Sequence, residues 1–360
     1  MQKIKTGVLG CGKVGDFHAL SFGRLPESEF TAVCSRSKEK AEQFAKKYNV
    51  APATSIAEMA TLGVEAVSIC TPHPLHTEGA VEALEAGMHV LVEKPLAILP
   101  SDCSRILDAA KQAGKTVGVV CQRRFYPPCM RIKKAIDDGK IGKPILSTVT
   151  MYGWRDEAYY KSDPWRGSWD GEGGGVLVNQ APHQLDLMLW YMGEIDEVYG
   201  AAANMNHPYI EVEDTAVAFI KFKSGALGSV VVSNSQNPAL YGKVYVFGSN
   251  GASVGVQTDG GAMFIAGMSS ILEPPINDLW TVSGEEGMLE TWKKEDSDFF
   301  NSIDSTYYFH DRQIENYLRA LAGKEKLIVT GQEGKNTVDL FAAIYRATKE
   351  GKPQKFPLLD

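Results

Sequence analysis

Largely apolar runs alternate with amphipathic helical patterns along the first third of the chain. The runs fall at residues 4–9, 30–34, 66–70, 89–92 and 117–121. Strands that are apolar on both faces are typical of a parallel sheet covered by helices. Two of the helical patterns end at Gly87 and Gly114, and glycine is favoured just after a helix. The pattern therefore predicts right-handed strand–helix–strand units that form a parallel sheet.

The pattern changes after Pro127-Pro128. Segments at 216–222, 227–233 and 243–247 alternate apolar with polar positions and are rich in Val, Tyr and Phe. Such alternation predicts an antiparallel sheet with one buried face. The Lys-Ser-Gly sequence at 223–225 is typical of a hairpin turn between two of these strands.

A length of 360 residues favours two domains. We expect an α/β fold in which residues 1–125 form a Rossmann dinucleotide-binding domain. Residues 126–360 are expected to form an α+β domain with a mostly antiparallel sheet. Within it, residues 251–308 have weak periodicity and are interpreted as strands with a long insertion. Helical patterns follow at 311–321 and 335–349, and we expect the second of these to pack near the first domain.

Charge and composition narrow the class of protein. The formal net charge of −7 argues against binding to a nucleic-acid backbone, which needs a basic surface. The chain has no apolar signal segment at its start and no run of ~18 apolar residues, so we expect a cytoplasmic protein that does not enter a membrane. The six cysteines form no CxxC pair and are interpreted as buried free thiols rather than metal ligands.

A glycine motif follows the first predicted strand. Gly10-Cys11-Gly12-Lys13-Val14-Gly15 fits the pattern G-x-G-x-x-G between a strand and a helix, which is the context that dinucleotide binding requires. Gly10 permits a tight turn, Gly12 lets the backbone approach a pyrophosphate, and Gly15 allows close packing of helix and sheet. We therefore expect this motif, including Lys13 and Val14, to bind the cofactor.

The end of the second strand bears on which dinucleotide binds. A carboxylate there grips the ribose of NAD, but this chain has Ser35-Arg36-Ser37. An arginine can receive a 2′-phosphate, so NADP(H) is favoured. NAD(H) is possible if Arg36 is only a solvated surface residue and the ribose binds through Ser35.

Two further segments follow strands at the carboxyl edge of the sheet, where ligands of such folds bind. Thr71, Pro72 and His76 can line a cofactor groove, although His76 could instead bond to its own backbone. Glu93-Lys94-Pro95 places a lysine where its ammonium can stabilise a developing alkoxide. The alternative for Lys94 is a surface ion pair.

Aromatic and arginine residues cluster in the second half of the chain. Aromatic faces stack on sugar rings and arginines bind hydroxyls or carboxylates, so a carbohydrate pocket is one interpretation. Packing at a domain junction or subunit contact is an equally good one. The residues assigned to the pocket are Trp154, Arg155, Tyr160, Trp165 and Arg166. His310, at the start of a late helix, could complete that pocket or serve a structural role.

Taken in order, these motifs resemble the glucose-fructose oxidoreductase / inositol dehydrogenase (Gfo/Idh/MocA) family. The matching segments run through nearly the whole chain: the glycine motif, Thr71-Pro72 with His76, Glu93-Lys94-Pro95, Arg124-Phe125, Gly173-Gly174-Gly175, His183 with Asp186, and Glu213-Asp214-Thr215. The resemblance implies a Rossmann domain, a second domain with a large open sheet, and homodimers or homotetramers assembled through that sheet.

The resemblance also implies roles for individual residues. Lys94 would contact the reacting hydroxyl, His183 would exchange its proton, and Arg124 would help to bind the cofactor. Many relatives have an aspartate where this chain has Asn179. Asn179 cannot take a proton, so it is expected to orient substrate or nicotinamide, while Asp186 is expected to be a supporting carboxylate.

The leading interpretation is an NAD(P)-dependent sugar or polyol dehydrogenase or reductase that needs no metal. A second enzymatic reading is a glycoside 3-oxidising enzyme with tightly bound, recycled NAD(H) that initiates glycosidic cleavage. The non-enzymatic alternative is a dinucleotide-binding sensor that regulates a partner.

Overall fold

The structure, a computed structural model, describes residues 3–258 and 274–358. The chain divides into two compact units. The first comprises Met1–Gln122 and Thr306–Val338, and the second comprises Arg123–Ser305 and Asp339–Asp360. Part of the segment interpreted as an insertion, residues 259–273, lies outside the described residues.

The first unit is built on a parallel sheet of six strands. Its strands are β1 (Ile4–Leu9), β2 (Ser28–Cys34), β3 (Ala51–Ala53), β4 (Ala66–Ile69), β5 (His89–Val92) and β6 (Val117–Val119). Their order in the sheet is β3-β2-β1-β4-β5-β6, and all neighbours are parallel. The direction of strand addition reverses between β1 and β4, which is where open α/β sheets form a ligand crevice. The predicted Rossmann sheet is confirmed.

Helices connect the strands of the first unit. They are α1 (Lys13–Arg24), α2 (Lys38–Tyr48), α3 (Ile56–Thr61), α4 (His76–Glu85) and α5 (Pro100–Ala113). The side chains of Ser37 and Ser55 accept hydrogen bonds from the first turns of α2 and α3, as N-caps do. Gly114 ends α5 in the left-handed conformation that was expected there. The short β3 and α3 were missed because neither has a long periodic pattern.

A late segment of the chain returns to the first unit. The helix α11 (Tyr308–Leu321) buries Ile314, Tyr317 and Leu318 in the same hydrophobic cluster as Val8 of β1. The Gln313 side chain accepts from the backbone N–H of Cys121 at 2.9 Å and donates to the Val119 carbonyl at 2.7 Å. These contacts group residues 306–338 with the first unit, whereas the sequence had suggested a continuous second domain from 126 to 360.

The second unit is built on an eight-stranded mixed sheet. Its strands are β7 (Pro144–Tyr152), β8 (Ile195–Ala203), β9 (Thr215–Phe222), β10 (Leu227–Ser233), β11 (Gly242–Gly248), β12 (Ser253–Thr258), β13 (Ile276–Trp280) and β14 (Gln354–Lys355). The order is β13-β12-β11-β7-β10-β9-β8-β14. Among the described strands only the β7–β10 pair is parallel, so the predicted, mostly antiparallel sheet is confirmed, as is the hairpin that joins β9 to β10.

Helices complete the second unit. They are α6 (Pro127–Asp137), α7 (Glu157–Lys161), α8 (Trp169–Glu172), α9 (Pro182–Met192), α10 (Met288–Ser302) and α12 (Gly331–Glu350), the last of which begins in the first unit. The helix α10 was missed because its apolar residues are few and the stripe that they form is interrupted by the buried Asp296.

The two faces of the second sheet differ. One is covered by α9, which packs against β7 and β11. The other presents Tyr199, Val217 and Phe219, each about half exposed. The pairing register sets Tyr199 opposite Phe219, so these rings lie side by side on the exposed face.

The described part of the chain contains no helix that is both long and apolar enough to span a membrane. All six cysteines are free thiols; Cys11 is half-buried and the others are buried. The expectation of buried free thiols is confirmed for five of the six, and Cys11 is the exception.

Candidate active site

The glycine turn after β1 is packed too closely at Gly10 and Gly15 for any larger residue. Gly10 has a φ of +112°, and a Cβ atom there would lie 2.6 Å from the carbonyl oxygen of Cys70. A Cβ atom on Gly15 would lie 1.9 Å from the carbonyl oxygen of Gly10. Both positions therefore need glycine, and α1 lies directly against the turn.

The same turn leaves the N-terminus of α1 open. Gly12 is the N-cap of α1, and no side chain of the described residues caps this end. Apart from its two chain neighbours, no described residue has a heavy atom within 4 Å of a Cβ built on Gly12. Exposed N–H groups at a helix N-terminus form an anion site, so the space beside Gly12 fits a pyrophosphate. Lys13 is exposed here and Val14 is half-buried.

The segment after β2 carries an exposed arginine. The Ser35 hydroxyl accepts from the backbone N–H of Ser37 at 3.3 Å, and Arg36 is exposed. No carboxylate of the described ranges is ion-paired with Arg36. Burial raises the pKa of the Cys11 thiol to about 11, opposed by the positive charge of Lys40.

Two loops at the carboxyl edge of the sheet are joined by a buried histidine. The Nδ1 atom of His76 lies 2.8 Å from the carbonyl oxygen of Pro95, and its Nε2 atom lies 2.8 Å from that of Thr71. Both ring nitrogens therefore contact backbone, which favours the alternative that His76 braces the loops. Among the described residues, the buried Thr71 hydroxyl has no hydrogen-bond partner, and a bound ligand could supply one. Pro72 is exposed beside it.

Lys94 follows a carboxylate that is fixed by a histidine of α1. Oε1 of Glu93 lies 2.8 Å from Nε2 of His18, and Oε2 accepts from the Lys94 backbone N–H at 3.2 Å. Burial raises the pKa of Glu93, but the His18 hydrogen bond and the charges of His18, His310 and Lys94 outweigh it and lower the pKa to about 2. Glu93 is therefore ionised at neutral pH.

His18 and His310 extend this cluster. Their ring centroids lie 6.3 Å apart, and both rings are buried. Burial lowers the pKa of His310 to about 4, although Glu93 opposes the shift. Sequence reasoning missed His18; the available signal was its spacing of three residues from Gly15, which puts both on the inner face of α1.

In the second unit, His183 is the second residue of α9 and is nine-tenths buried. The π-helical turn Val176–Gln180 lies before α9, with Ala181 between them. The Ala181 N–H donates to the Val176 carbonyl at 2.8 Å, which ties the turn to the start of α9. The sequence had placed His183 and Asp186 on one helix, and both lie on α9.

Asn179 lies on that turn within a polar network. Its Nδ2 atom donates to the Glu172 carboxylate and, at 3.1 Å, to the Tyr159 hydroxyl. Arg166 donates to the same hydroxyl at 2.5 Å, and its guanidinium carbon lies 4.4 Å from the Trp165 ring centroid. The amide of Asn179 is thus oriented by the protein.

The structure corrects two of the predicted sugar contacts. Tyr160 is only 6% exposed and packs with Tyr159, Ile210 and Val212, so its ring cannot present a face to a sugar. Arg155 is also buried, 5.3 Å over the Tyr159 ring. These side chains form the interior of the second unit, because the aromatic stretch supplies its own hydrophobic cluster.

The other aromatic residues of the stretch are more accessible. Trp154 and Trp165, like Arg166, are half-buried. The Trp154 ring lies 5.7 Å from that of His207. These three remain candidates for substrate contact.

Arg124, predicted to bind the cofactor, forms a buried ion pair in the second unit. Its Nε and Nη2 atoms donate to the two carboxylate oxygens of Asp186 at 2.8 and 2.7 Å. Both side chains are almost fully buried, and the guanidinium lies over the Trp190 ring. A buried, two-point ion pair of this kind holds its partners in place.

A buried carboxylate supports the backbone just before Asn179. Oε2 of Glu213 accepts from the N–H of Gly175 at 2.8 Å, and Oε1 accepts from that of Leu177 at 2.9 Å. The Tyr345 hydroxyl donates to Oε1 at 2.8 Å. Sequence reasoning had noted this glutamate within a motif but gave it no role.

A cavity of about 550 Å³ lies elsewhere in the second unit. Its lining includes Lys133, Lys143, Trp190 and Gly193. It contains none of the residues predicted to bind cofactor or substrate, so it does not identify the active site.

Comparison with known proteins bears on both units. Residues 4–121 match the family model described as "Oxidoreductase family, NAD-binding Rossmann fold". Residues 129–254 match the model described as "GFO/IDH/MocA C-terminal domain".

Two curated relatives and one solved structure show how extensive the similarity is. The uncharacterized oxidoreductase YrbE of Bacillus subtilis is 31% identical over 261 residues, which cover 70% of this chain and 73% of that protein. The myo-inositol 2-dehydrogenase of Thermotoga maritima is 30% identical over 257 residues, covering 69% and 74%. The WlbA dehydrogenase from Bordetella pertussis, solved with NADH and UDP-GlcNAcA, is 28% identical with a TM-score of 0.86 over 99% of both chains.

The open space beside Gly12 yields a direct test. We predict that Gly12→Ala folds normally but binds dinucleotide about ten- to a hundredfold more weakly, because the methyl group occupies pyrophosphate space. The matched control is Gly23→Ala, also on α1, where an added Cβ meets no atom of the described residues within 4 Å. Titration calorimetry with NAD(H) and NADP(H) measures the affinity. Equal dinucleotide affinity of the two variants would contradict the placement of the pyrophosphate beside Gly12.

Proposed function

Because the chain belongs to the GFO/IDH/MocA family of oxidoreductases, we propose that it transfers hydride between a nicotinamide dinucleotide and a secondary hydroxyl or ketone of a sugar, cyclitol or glycoside. The observation that carries the proposal is the glycine turn, which leaves the helix N-terminus open at the switch point of the parallel sheet. Lys94 follows β5 at the same edge.

The residues of the first unit fit the proposed cofactor. The N–H groups at the start of α1 would hold the pyrophosphate against Gly12, and Ser35 and Arg36 would bind the adenosine ribose. Thr71 and Glu93 would offer polar atoms to the remainder. The bound nicotinamide would accept or deliver the hydride.

Lys94 and His183 are the proposed catalytic residues. The Lys94 ammonium would donate a hydrogen bond to the reacting oxygen and stabilise its negative charge. The His183 imidazole would take the hydroxyl proton during oxidation and return it during reduction. Ammonium and imidazole together supply both the charge and the proton transfer, so this scheme needs no metal.

Asn179 is proposed to orient the substrate. Its Nδ2 atom is held by Glu172 and Tyr159, which fixes the direction of the amide oxygen. Because an amide does not accept a proton at neutral pH, His183 carries the proton transfer without an aspartate at residue 179. Trp154, Trp165 and Arg166 are proposed to contact the rest of the substrate.

A substrate screen tests the proposed function. We expect turnover, followed at the nicotinamide absorbance band, with at least one compound among inositols, glucosides, levoglucosan and UDP-GlcNAcA. These are the substrate classes that the names of relatives and structural neighbours suggest. Keto product without net reduced cofactor would instead favour glycoside oxidation with a recycled cofactor. A failure of every compound with both NAD and NADP would contradict the proposal.

Variants of the two catalytic residues test their roles. Lys94→Ala and His183→Ala should each lower kcat by roughly 10²–10⁴-fold, while calorimetry should show dinucleotide still bound. Lys111→Ala, on exposed α5 surface, is the control and should retain full activity. If both catalytic variants kept wild-type kcat, the result would contradict these roles and favour the alternative of a dinucleotide-binding sensor.

Arg36 is proposed to favour NADP(H) over NAD(H). Removing a charge-assisted contact to the 2′-phosphate costs about 1.5–3 kcal/mol, so Arg36→Ala should weaken NADP(H) binding about ten- to a hundredfold and NAD(H) binding much less. Lys46→Ala, exposed on α2, is the control for general loss of charge. Equal losses of affinity for the two cofactors would contradict the proposal that Arg36 binds the 2′-phosphate.

The exposed face of the second sheet is proposed to bind a second copy of the chain. Tyr199 and Phe219 are 47% and 45% exposed, and exposed, adjacent aromatic rings are typical of an interface. Sedimentation velocity should therefore show a dimer or tetramer that Phe219→Glu shifts toward monomer. Lys46→Glu should leave the assembly intact. A monomeric wild-type protein would refute this assembly.

A further inference from the structure

The Glu213 carboxylate accepts three hydrogen bonds beside the proposed catalytic segment. It accepts from the N–H groups of Gly175 and Leu177 and from the Tyr345 hydroxyl. The intervening Val176 N–H donates to the Glu213 backbone carbonyl at 3.1 Å. Three successive N–H groups of one turn therefore end on a single residue.

The turn that Glu213 holds leads directly to the proposed catalytic residues. Asn179 donates its backbone N–H to the Gly175 carbonyl at 2.9 Å, and Ala181 donates to Val176. Gln184 and Leu185 in turn donate to the Ala181 carbonyl at 3.0 Å. A displacement at residues 175–177 would therefore pass through hydrogen bonds to Asn179 and to the first turn of α9.

Close packing makes this attachment rigid. A Cβ atom on Gly174 would lie 2.3 Å from the Tyr345 hydroxyl, and one on Gly175 would lie 1.8 Å from the Glu213 carbonyl oxygen. The triple glycine at 173–175 thus lets the backbone reach the carboxylate. Because the backbone at 174–177 has no space to shift, its position is set by Glu213.

We propose that Glu213 is a positioning residue that sets the placement of Asn179 and His183, and that Tyr345 in turn fixes its carboxylate. The inference rests on the proposed function, in which Asn179 and His183 act on the substrate. Because all three donors point at the carboxylate, an ionised group satisfies them and a neutral amide does not: an NH₂ group would face one of the N–H donors.

Burial opposes the ionisation of Glu213, and the donors of the turn oppose the effect of burial. Burial raises the pKa of Glu213 to about 7, while the Leu177 and Gly175 N–H groups and the Tyr345 hydroxyl oppose the shift. The folded-state pKa lies above the ordinary value, so this group stabilises the fold at low pH. That contribution is lost as the pH rises toward about 7. Both forms are therefore present near neutral pH, and the ionised form, which satisfies all three donors, predominates above about pH 7.

The test uses the full-length protein with Glu213→Gln, and Glu211→Gln as the matched control. Glu211 is exposed and lies two residues earlier in the chain. Hydrogen–deuterium exchange should show protection of residues 175–185 falling about tenfold or more in Glu213→Gln, with exchange elsewhere unchanged. On a substrate found by the screen, kcat should fall about ten- to a hundredfold, since a misplaced catalytic group costs about that much. The KM for the dinucleotide should not change.

Each outcome decides the matter. Unchanged exchange and unchanged kcat would overturn the proposal, and faster local exchange with wild-type kcat would reduce Glu213 to a purely structural residue. If Glu213→Gln does not fold, Tyr345→Phe keeps the carboxylate and removes one donor; it should give a smaller change of the same kind, and no change would overturn the proposal. If the wild-type protein has no activity on any sugar, the proposed function fails, but the exchange experiment still decides whether Glu213 holds the turn.

Discussion

The contact between Gly15 and the carbonyl oxygen of Gly10 is the constraint on which the candidate site depends. An added Cβ would lie 1.9 Å from that oxygen, so α1 can lie against the turn only because residue 15 has no side chain. This packing points the uncapped start of α1 into the space beside Gly12. The charge and N–H groups that a pyrophosphate needs are therefore provided by backbone alone.

Carboxylates hold the other groups of the candidate site in position. Glu93 is fixed by His18 and contacts the Lys94 backbone, Glu172 accepts from Asn179, and Glu213 accepts from the turn before it. Glu172 and Glu213 are removed from water and Glu93 is partly so, and the donors around each carboxylate compensate for the lost hydration. Groups held in this way do not need to reorganise when charge develops on a substrate, which is how electrostatic catalysis becomes efficient.

Much of this architecture could be predicted from local pattern. The glycine motif, the parallel strands and the β9–β10 hairpin each leave a signal within a few consecutive residues. Features that depend on distant contacts left none. His18 and Glu93 are 75 residues apart in the sequence, and the partner that makes Arg124 structural lies 62 residues away. Tyr160 looked like a sugar contact because composition does not reveal which aromatic rings pack on each other. The helix α10 was not predicted because the buried Asp296 interrupts its few apolar residues.

Transfer of deuterium tests the central claim most directly. The protein would be given reduced dinucleotide carrying deuterium at C4 of the nicotinamide, together with keto-sugars and keto-inositols, and the products examined by mass spectrometry and NMR. The account predicts one deuterium on the carbon of the former ketone, and its loss in Lys94→Ala. Tight binding of the dinucleotide without deuterium on any product carbon would contradict it.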